Sequence, residues 1–251
     1  MTTISLNDKV ALVTGSARRV GRAIALELAA QGMHVVIHHN HSDEEAKSVA
    51  AEARKLGVKA AIVRADLGKP KEIAALFQKI EKRFGRLDVL VNSASIFAKG
   101  LIENITLQEW QQALDINLTA PFLCSQHAAK LMRQNGNDGG SIVNILDLSA
   151  FAPWKTFAPQ SVSKAGLKML TDVLALSLAP QIRVNAVAPG PVLRDEGNSP
   201  ERWKEIGERL PMKQTGDPAD VAQAVVFLAS QPFMTGAVLH VDGGEHLQRH
   251  E

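Results

Sequence analysis

With 251 residues, 45% of them hydrophobic and 22% charged, the chain can bury a full core and falls within the range of one large α/β domain. Its 28 basic and 26 acidic residues are well mixed and leave a formal charge of +2, so neither a nucleic-acid nor a membrane-surface footprint stands out. Cys124 is the single cysteine, which excludes a disulfide framework within the chain and suits a reducing compartment. Met1 to Val10 lacks the apolar stretch of a secretory signal, and no run approaches the roughly 18 apolar residues of a spanning helix. A cytoplasmic protein is expected.

Along the chain, short β-branched or aliphatic runs at 10–13, 34–38, 60–63, 89–91, 141–145, 183–187 and 237–241 alternate with amphipathic stretches at 21–31, 43–56, 70–84, 107–135, 162–178 and 218–230. The strand candidates are hydrophobic almost throughout, as in strands covered on both faces of a parallel sheet. The alternation predicts one doubly wound (Rossmann) α/β domain over 1–251, with a seven-stranded parallel sheet and helices on both faces. The 190–200 stretch, rich in Pro, Gly and charge, is expected to be a loop before a short helix and would suit a mobile flap.

Between the first strand and the first helix lies Val13-Thr-Gly-Ser-Ala-Arg-Arg-Val-Gly21, where backbone amides and the positive helix end can hold a pyrophosphate. Gly15 permits the tight turn and Gly21 close helix packing, while Arg19 replaces the usual middle glycine. An ordinary strand–helix turn is the plainer alternative, and the position at the first βα turn weighs against it. At the second strand end, His38-His39-Asn40-His41-Ser42 contains no carboxylate to accept from a ribose 2′-hydroxyl. Arg18, His39, His41 and Ser42 can instead donate to a 2′-phosphate, which favours NADP. A solvated strand end is the alternative. A metal held by the three histidines is disfavoured, because neighbouring strand side chains point to opposite faces and no acidic partner accompanies them; no metal site is expected.

Further motifs follow in order: Asp66-Leu67, Asn92-Ser93-Ala94-Ser95, Asn117 within Asp115-Ile-Asn-Leu118, Ser163-Lys164-Ala165-Gly166, Pro189-Gly190 and Val241-Asp-Gly-Gly244. With the loop from Thr14 to Gly21, they make the chain resemble the short-chain dehydrogenase/reductase family across nearly its whole length, and most of all its pteridine reductase branch. The resemblance implies that Gly15, Arg18, Arg19 and Val20 form the phosphate loop and that Asp66 and Leu67 receive the adenine. Asn92, Ser93 and Ala94 would lie beside the ribose, Lys164 would hold the nicotinamide ribose, and Pro189 and Gly190 would border the nicotinamide. Asn117 would anchor a water-linked proton path. In the pteridine branch the arginine at the Arg19 position reaches cofactor phosphate and substrate, and the aromatic at the Phe97 position stacks a pterin, with Ser95 and Asp147 beside it. Phe97 as a core residue and Asp147 as a capping residue are the plainer alternatives.

One position departs from the family. Where a tyrosine four residues before Lys164 is expected, the chain carries Gln160, and it contains no tyrosine at all. Residues four apart share a helix face, so a lysine there can depress a phenol from its reference pKa of about 10 towards the working range. The Gln160 amide cannot yield a proton. Two readings stand: an NADP(H)-dependent reductase of a pterin-like or other flat C=N or C=O substrate, with Asp147 or a water ordered by Lys164 and Asn117 as proton source, or a catalytically impaired NADP-binding sensor or partner subunit. The resemblance further implies a homotetramer or homodimer through the helices at 107–135 and 162–178.

Overall fold

Successive residues of β1 (Val10–Val13) leave the sheet on opposite sides, Val10 and Leu12 into one core and Ala11 and Val13 into the other, and all four are buried. This two-sided burial is what the unbroken apolar run requires. The structure, a computed structural model, describes residues 3–195 and 197–248.

The elements that follow are α1 (Arg19–Ala30), β2 (His34–His39), α2 (Asp43–Lys55), β3 (Ala60–Arg64), α3 (Pro70–Phe84), β4 (Val89–Asn92), α4 (Leu107–Leu114), α5 (Ala120–Met132), β5 (Gly140–Ile145), α6 (Ala158–Leu178), β6 (Ile182–Pro189), α7 (Pro200–Arg209), α8 (Pro218–Ser230) and β7 (Val238–Val241). The seven strands form one sheet in the order β3-β2-β1-β4-β5-β6-β7, parallel throughout. Ile24 and Leu28 of α1, Val49 of α2 and Val225 of α8 pack on one face with Val13, Ile37 and Val143. On the other, Ile73 and Leu76 of α3, Cys124 and Ala128 of α5 and Ala175 of α6 pack against Leu12, Leu90 and Ile142.

The chain winds outward from β1 to β3, then crosses back to β4 on the far side of β1. At such a reversal neighbouring connections leave on opposite faces, and a crevice opens beyond the carboxyl ends of the strands. Every motif in the sequence from Thr14 to Gly190 lies at this end.

Three local expectations are corrected. The helix expected over 107–135 is two helices, α4 and α5, joined by a π turn at Asp115–Thr119, and its last residues leave the α-helix after Met132 for a 3-10 segment. Pro121 lacks the N–H an α-helical ladder would need at that position, and the wider turn accommodates the loss. The helix expected to begin at 162 begins at Ala158, because Pro159 fits a first turn. Finally, β6 runs to Pro189 and so carries the chain to the edge of the crevice. Among the described residues no helix is long and apolar enough to cross a membrane.

Candidate active site

The loop after β1 is held from two sides. Thr14 Oγ1 accepts the N–H groups of Ser93 and Ala94 at 2.9 and 3.0 Å, tying it to the segment after β4. On the other side, the Gly15 N–H donates to His38 Nδ1 at 3.0 Å, the His38 N–H donates to Ser16 Oγ at 3.0 Å, and His38 Nε2 lies 3.1 Å from the Ala65 carbonyl. These bonds assign the neutral ring with its proton on Nε2. Gly15 has φ +67°, and a Cβ there would lie 3.0 Å from Ala94 Cα. The sequence thereby delivers the start of α1 into the crevice.

Burial pushes His38 down to about 4, with the Ala65 carbonyl opposing and His39 assisting. The unfolded chain, with a histidine of ordinary pKa, therefore binds the proton first as pH falls, so stability is full above pH 6.5 and is lost as pH drops through about 4. The expected loss is about 3 kcal/mol. Protonation at Nδ1 also removes the acceptor for Gly15. Urea unfolding at pH 7 and pH 4.5 should show a drop that His38→Gln largely abolishes; an equal drop in both proteins would place the titration elsewhere.

The loop between β1 and α1 suits an anion. α1 has no side-chain cap, no acidic residue in its first turn, and Arg18 and Arg19 at its start, so its first amides and the helix dipole face the crevice with positive charge around them. Around β2 the four sequence candidates separate. His41 is exposed and Ser42 half-buried, and Arg18 lies 3.8 Å from Glu45. His39 is buried, its Nδ1 has no hydrogen-bond partner and its Nε2 is 4.0 Å from Asp43. Burial lowers the His39 pKa against the pull of Asp43. The carboxylates absent from the end of β2 stand one turn later, as Asp43, Glu44 and Glu45 of α2.

Asp66 Oδ1 accepts from the Gly68 N–H at 3.0 Å, Leu67 is buried, and a cavity of about 800 Å³ opens beside them, lined by Asp66, Gly68, Lys69, Gln108, Gln111 and Ile116. The Asn92 side chain lies in the interior, donating to Asn144 Oδ1 at 2.8 Å and Ser125 Oγ at 3.3 Å. Toward the crevice it can offer only backbone. The Gly190 N–H donates to the Val241 carbonyl at 3.0 Å, and a Cβ on Gly190 would lie 2.7 Å from that of Asp242, so Pro189 and Gly190 are locked against the strand edge.

The remaining candidates meet in one chain of hydrogen bonds. Ser95 Oγ donates to Asn117 Oδ1 at 3.1 Å, and Asn117 Nδ2 donates to Gln160 Oε1 at 3.0 Å. Gln160 Nε2 donates to Asp147 Oδ2 at 2.5 Å, and Asp147 Oδ1 accepts from Ser149 N–H and Oγ–H at 2.9 and 2.5 Å. Gln160 and Asn117 are wholly buried. The π turn presents Asn117 to this network, since the same side chain also contacts Ile96 and Ser163. Lys164 Nζ donates to the Ile145 carbonyl at 2.7 Å; burial pushes its ammonium below the ordinary lysine range, against the opposing charge of Asp147.

Phe97 lies at the surface, 60% exposed, with its ring edge-on to Phe157 at 6.4 Å. Arg19 lies at φ +56°. Sequence reasoning missed two members of the site. Ser149 is one, although the Asp-x-Ser spacing after β5 is a capping pattern. The other is His38 as the clamp on Gly15, for which a polar residue amid an apolar strand was the only signal.

A family model described as enoyl-(acyl carrier protein) reductase matches residues 15–246. The 3-oxoacyl-(acyl-carrier-protein) reductase of Synechocystis is 37% identical over 244 residues, covering 96% of this chain and 98% of its own. Glucose 1-dehydrogenase 2 of Bacillus subtilis is 36% identical over 247 residues, 95% of each chain. Among solved structures, the FolM alternative dihydrofolate reductase 1 of Brucella suis, in complex with NADP, superposes with a TM-score of 0.91 at 32% identity over 99% of this chain and 98% of that one. A seven-stranded parallel sheet with this crevice, together with full-length relatives above 30% identity, leaves one assignment: the chain belongs to the short-chain dehydrogenase/reductase family of oxidoreductases.

Proposed function

We propose that the protein is an NADPH-dependent reductase of a flat heterocycle bearing a C=N bond, of the pterin kind. The observation that carries the reading is the arrangement of Gln160, spent between Asn117 and Asp147. With no phenol in the site, Asp147 is the group left to meet a substrate. It accepts three hydrogen bonds, and Oδ2 retains a lone pair. A carboxylate so placed can hold the N–H of a protonated C=N group, which needs no further acid; a ketone would need one. The surface position of Phe97 supports a stacked planar ligand. Among relatives, the Brucella FolM proteins are named as dihydrofolate reductases, whereas others act on acyl carrier protein substrates or glucose by name.

Bound NADPH would supply the hydride. The α1 amides with Arg18 and Arg19 would hold its phosphates, and His41 and Ser42, with Arg18, its 2′-phosphate. Lys164, after the bond to Ile145, keeps two N–H groups for the nicotinamide ribose. We also read a homodimer or homotetramer from the stripe Val162, Met169, Val173 and Leu176, exposed along α6, and Phe122 on α5.

The test is calorimetric titration with NADPH and NADH, followed by NADPH oxidation with a dihydropterin and with a simple ketone. NADPH should bind at least about tenfold tighter, the worth of one charge-assisted contact, and only the dihydropterin should be reduced. Equal nucleotide affinities would remove the cofactor assignment. Tight NADPH binding without turnover on either substrate would favour the sensor reading.

A further inference from the structure

Arg19 reaches across 176 residues of sequence to place Nη2 2.7 Å from Asp195 Oδ1. Asp195 lies in the irregular segment between β6 and α7. The first part of that segment is well anchored: Gly190 bonds to Val241, the Pro191 carbonyl accepts from Gly216, and Val192 is buried in the core. Beyond Val192 the contacts turn inward. Arg194 donates to the Asn198 carbonyl, the Asn198 N–H donates to the Asp195 carbonyl, and Ser199 caps α7. Among the described residues from Arg194 to Ser199, the Asp195–Arg19 pair is the one hydrogen bond or ion pair to a distant part of the chain.

The tie is open to solvent. Both partners are more than half exposed, 55% and 69% of their side chains, and exposed pairs are weak and screened by salt. Neither has a second ion-pair partner among the described residues. Arg19 is moreover held at φ +56°, outside the region an arginine prefers, at the uncapped start of α1. A phosphate there would carry at least as much charge as Asp195 and would gain the helix amides as well.

We propose that Asp195 is an internal anion that competes with a nucleotide phosphate for Arg19, so that nucleotide binding unlatches the segment between Val192 and α7. The inference rests on the reading of the α1 loop as a phosphate site. In this arrangement Arg19 is one switch with two anionic partners, and cofactor arrival is reported directly to a segment bordering the crevice.

The experiment measures NADP⁺ affinity by calorimetry at low salt for wild type, Asp195→Asn, Arg19→Gln and the double variant, with amide hydrogen exchange of the four proteins, without nucleotide, over peptides spanning 190–200. Asp195→Asn should tighten NADP⁺ about two- to five-fold, the worth of an exposed pair, and should do nothing in the Arg19→Gln background. Exchange in the segment should quicken to the same extent in both single variants and no further in the double. Unchanged or weaker NADP⁺ binding in Asp195→Asn overturns the latch while leaving the cofactor site intact, since an Asp195 that helped hold the phosphate clamp would act in that sense. An effect that survives Arg19→Gln overturns it too, and a wild type that binds no NADP⁺ removes both the latch and the reading beneath it.

Discussion

Replacing Asp147 with asparagine is expected to lower single-turnover NADPH oxidation by about 10²–10⁴-fold, the range of a positioned proton-handling group, with cofactor affinity nearly unchanged. The side chain keeps its size, but one of its two acceptor oxygens becomes an NH₂ group. Three donors now converge on Asp147, from Ser149 N–H, Ser149 Oγ–H and Gln160 Nε2, and an amide can satisfy them only on its oxygen side. The donor left facing NH₂ is buried without a partner, a cost of about 1–3 kcal/mol that a melting curve will also register. The substrate's N–H loses its anionic acceptor, so the rate should fall with substrates of the C=N class whatever their size. A rate within tenfold of wild type, in a variant that folds and binds NADPH normally, would mean that the protonated C=N group is held by a group outside the Asp147 network.

Gln160→Tyr should act in the opposite direction, raising reduction of simple ketones by about 10²–10⁴-fold over a near-zero background. Its setting is already in place. Lys164 lies one turn along α6 with a buried ammonium, Asn117 reaches the same point from the π turn, and Asp147 stands on the other side. A phenol would exchange an amide that cannot ionise for a hydroxyl that can, beside a cation that favours the phenolate. Position 160 is wholly buried, so the larger ring also brings an overpacking cost of about 1–3 kcal/mol, visible as a lowered melting temperature. Wild type and variant should be compared at matched, saturating NADPH with one ketone and one dihydropterin. A well-folded tyrosine variant that binds NADPH and gains no ketone activity would show that the missing phenol is not what limits the protein.

The alternation of apolar runs and amphipathic stretches determined the parallel sheet, because strands buried on both faces need unbroken hydrophobic sequence and helices need one apolar stripe. The glycines at 15 and 21 made the tight turn between β1 and α1 legible, since turn geometry is a local property of a few adjacent residues. The break between α4 and α5 had one local signal, Pro121, which lacks the N–H of an α-helical ladder; that Asn117 turns inward there is decided by its contacts with Ser95, Ile96 and Gln160. The absence of tyrosine was plain in the sequence, yet what Gln160 does in its place was not. Its partners come from 13 and 43 residues away, and hydrogen bonds across such separations exist only once β5, α6 and the π turn have been brought together by the two cores. The same holds for Asp195, whose counter-charge on Arg19 lies 176 residues earlier; sequence order carries local geometry, and the assembled fold determines which distant charges meet.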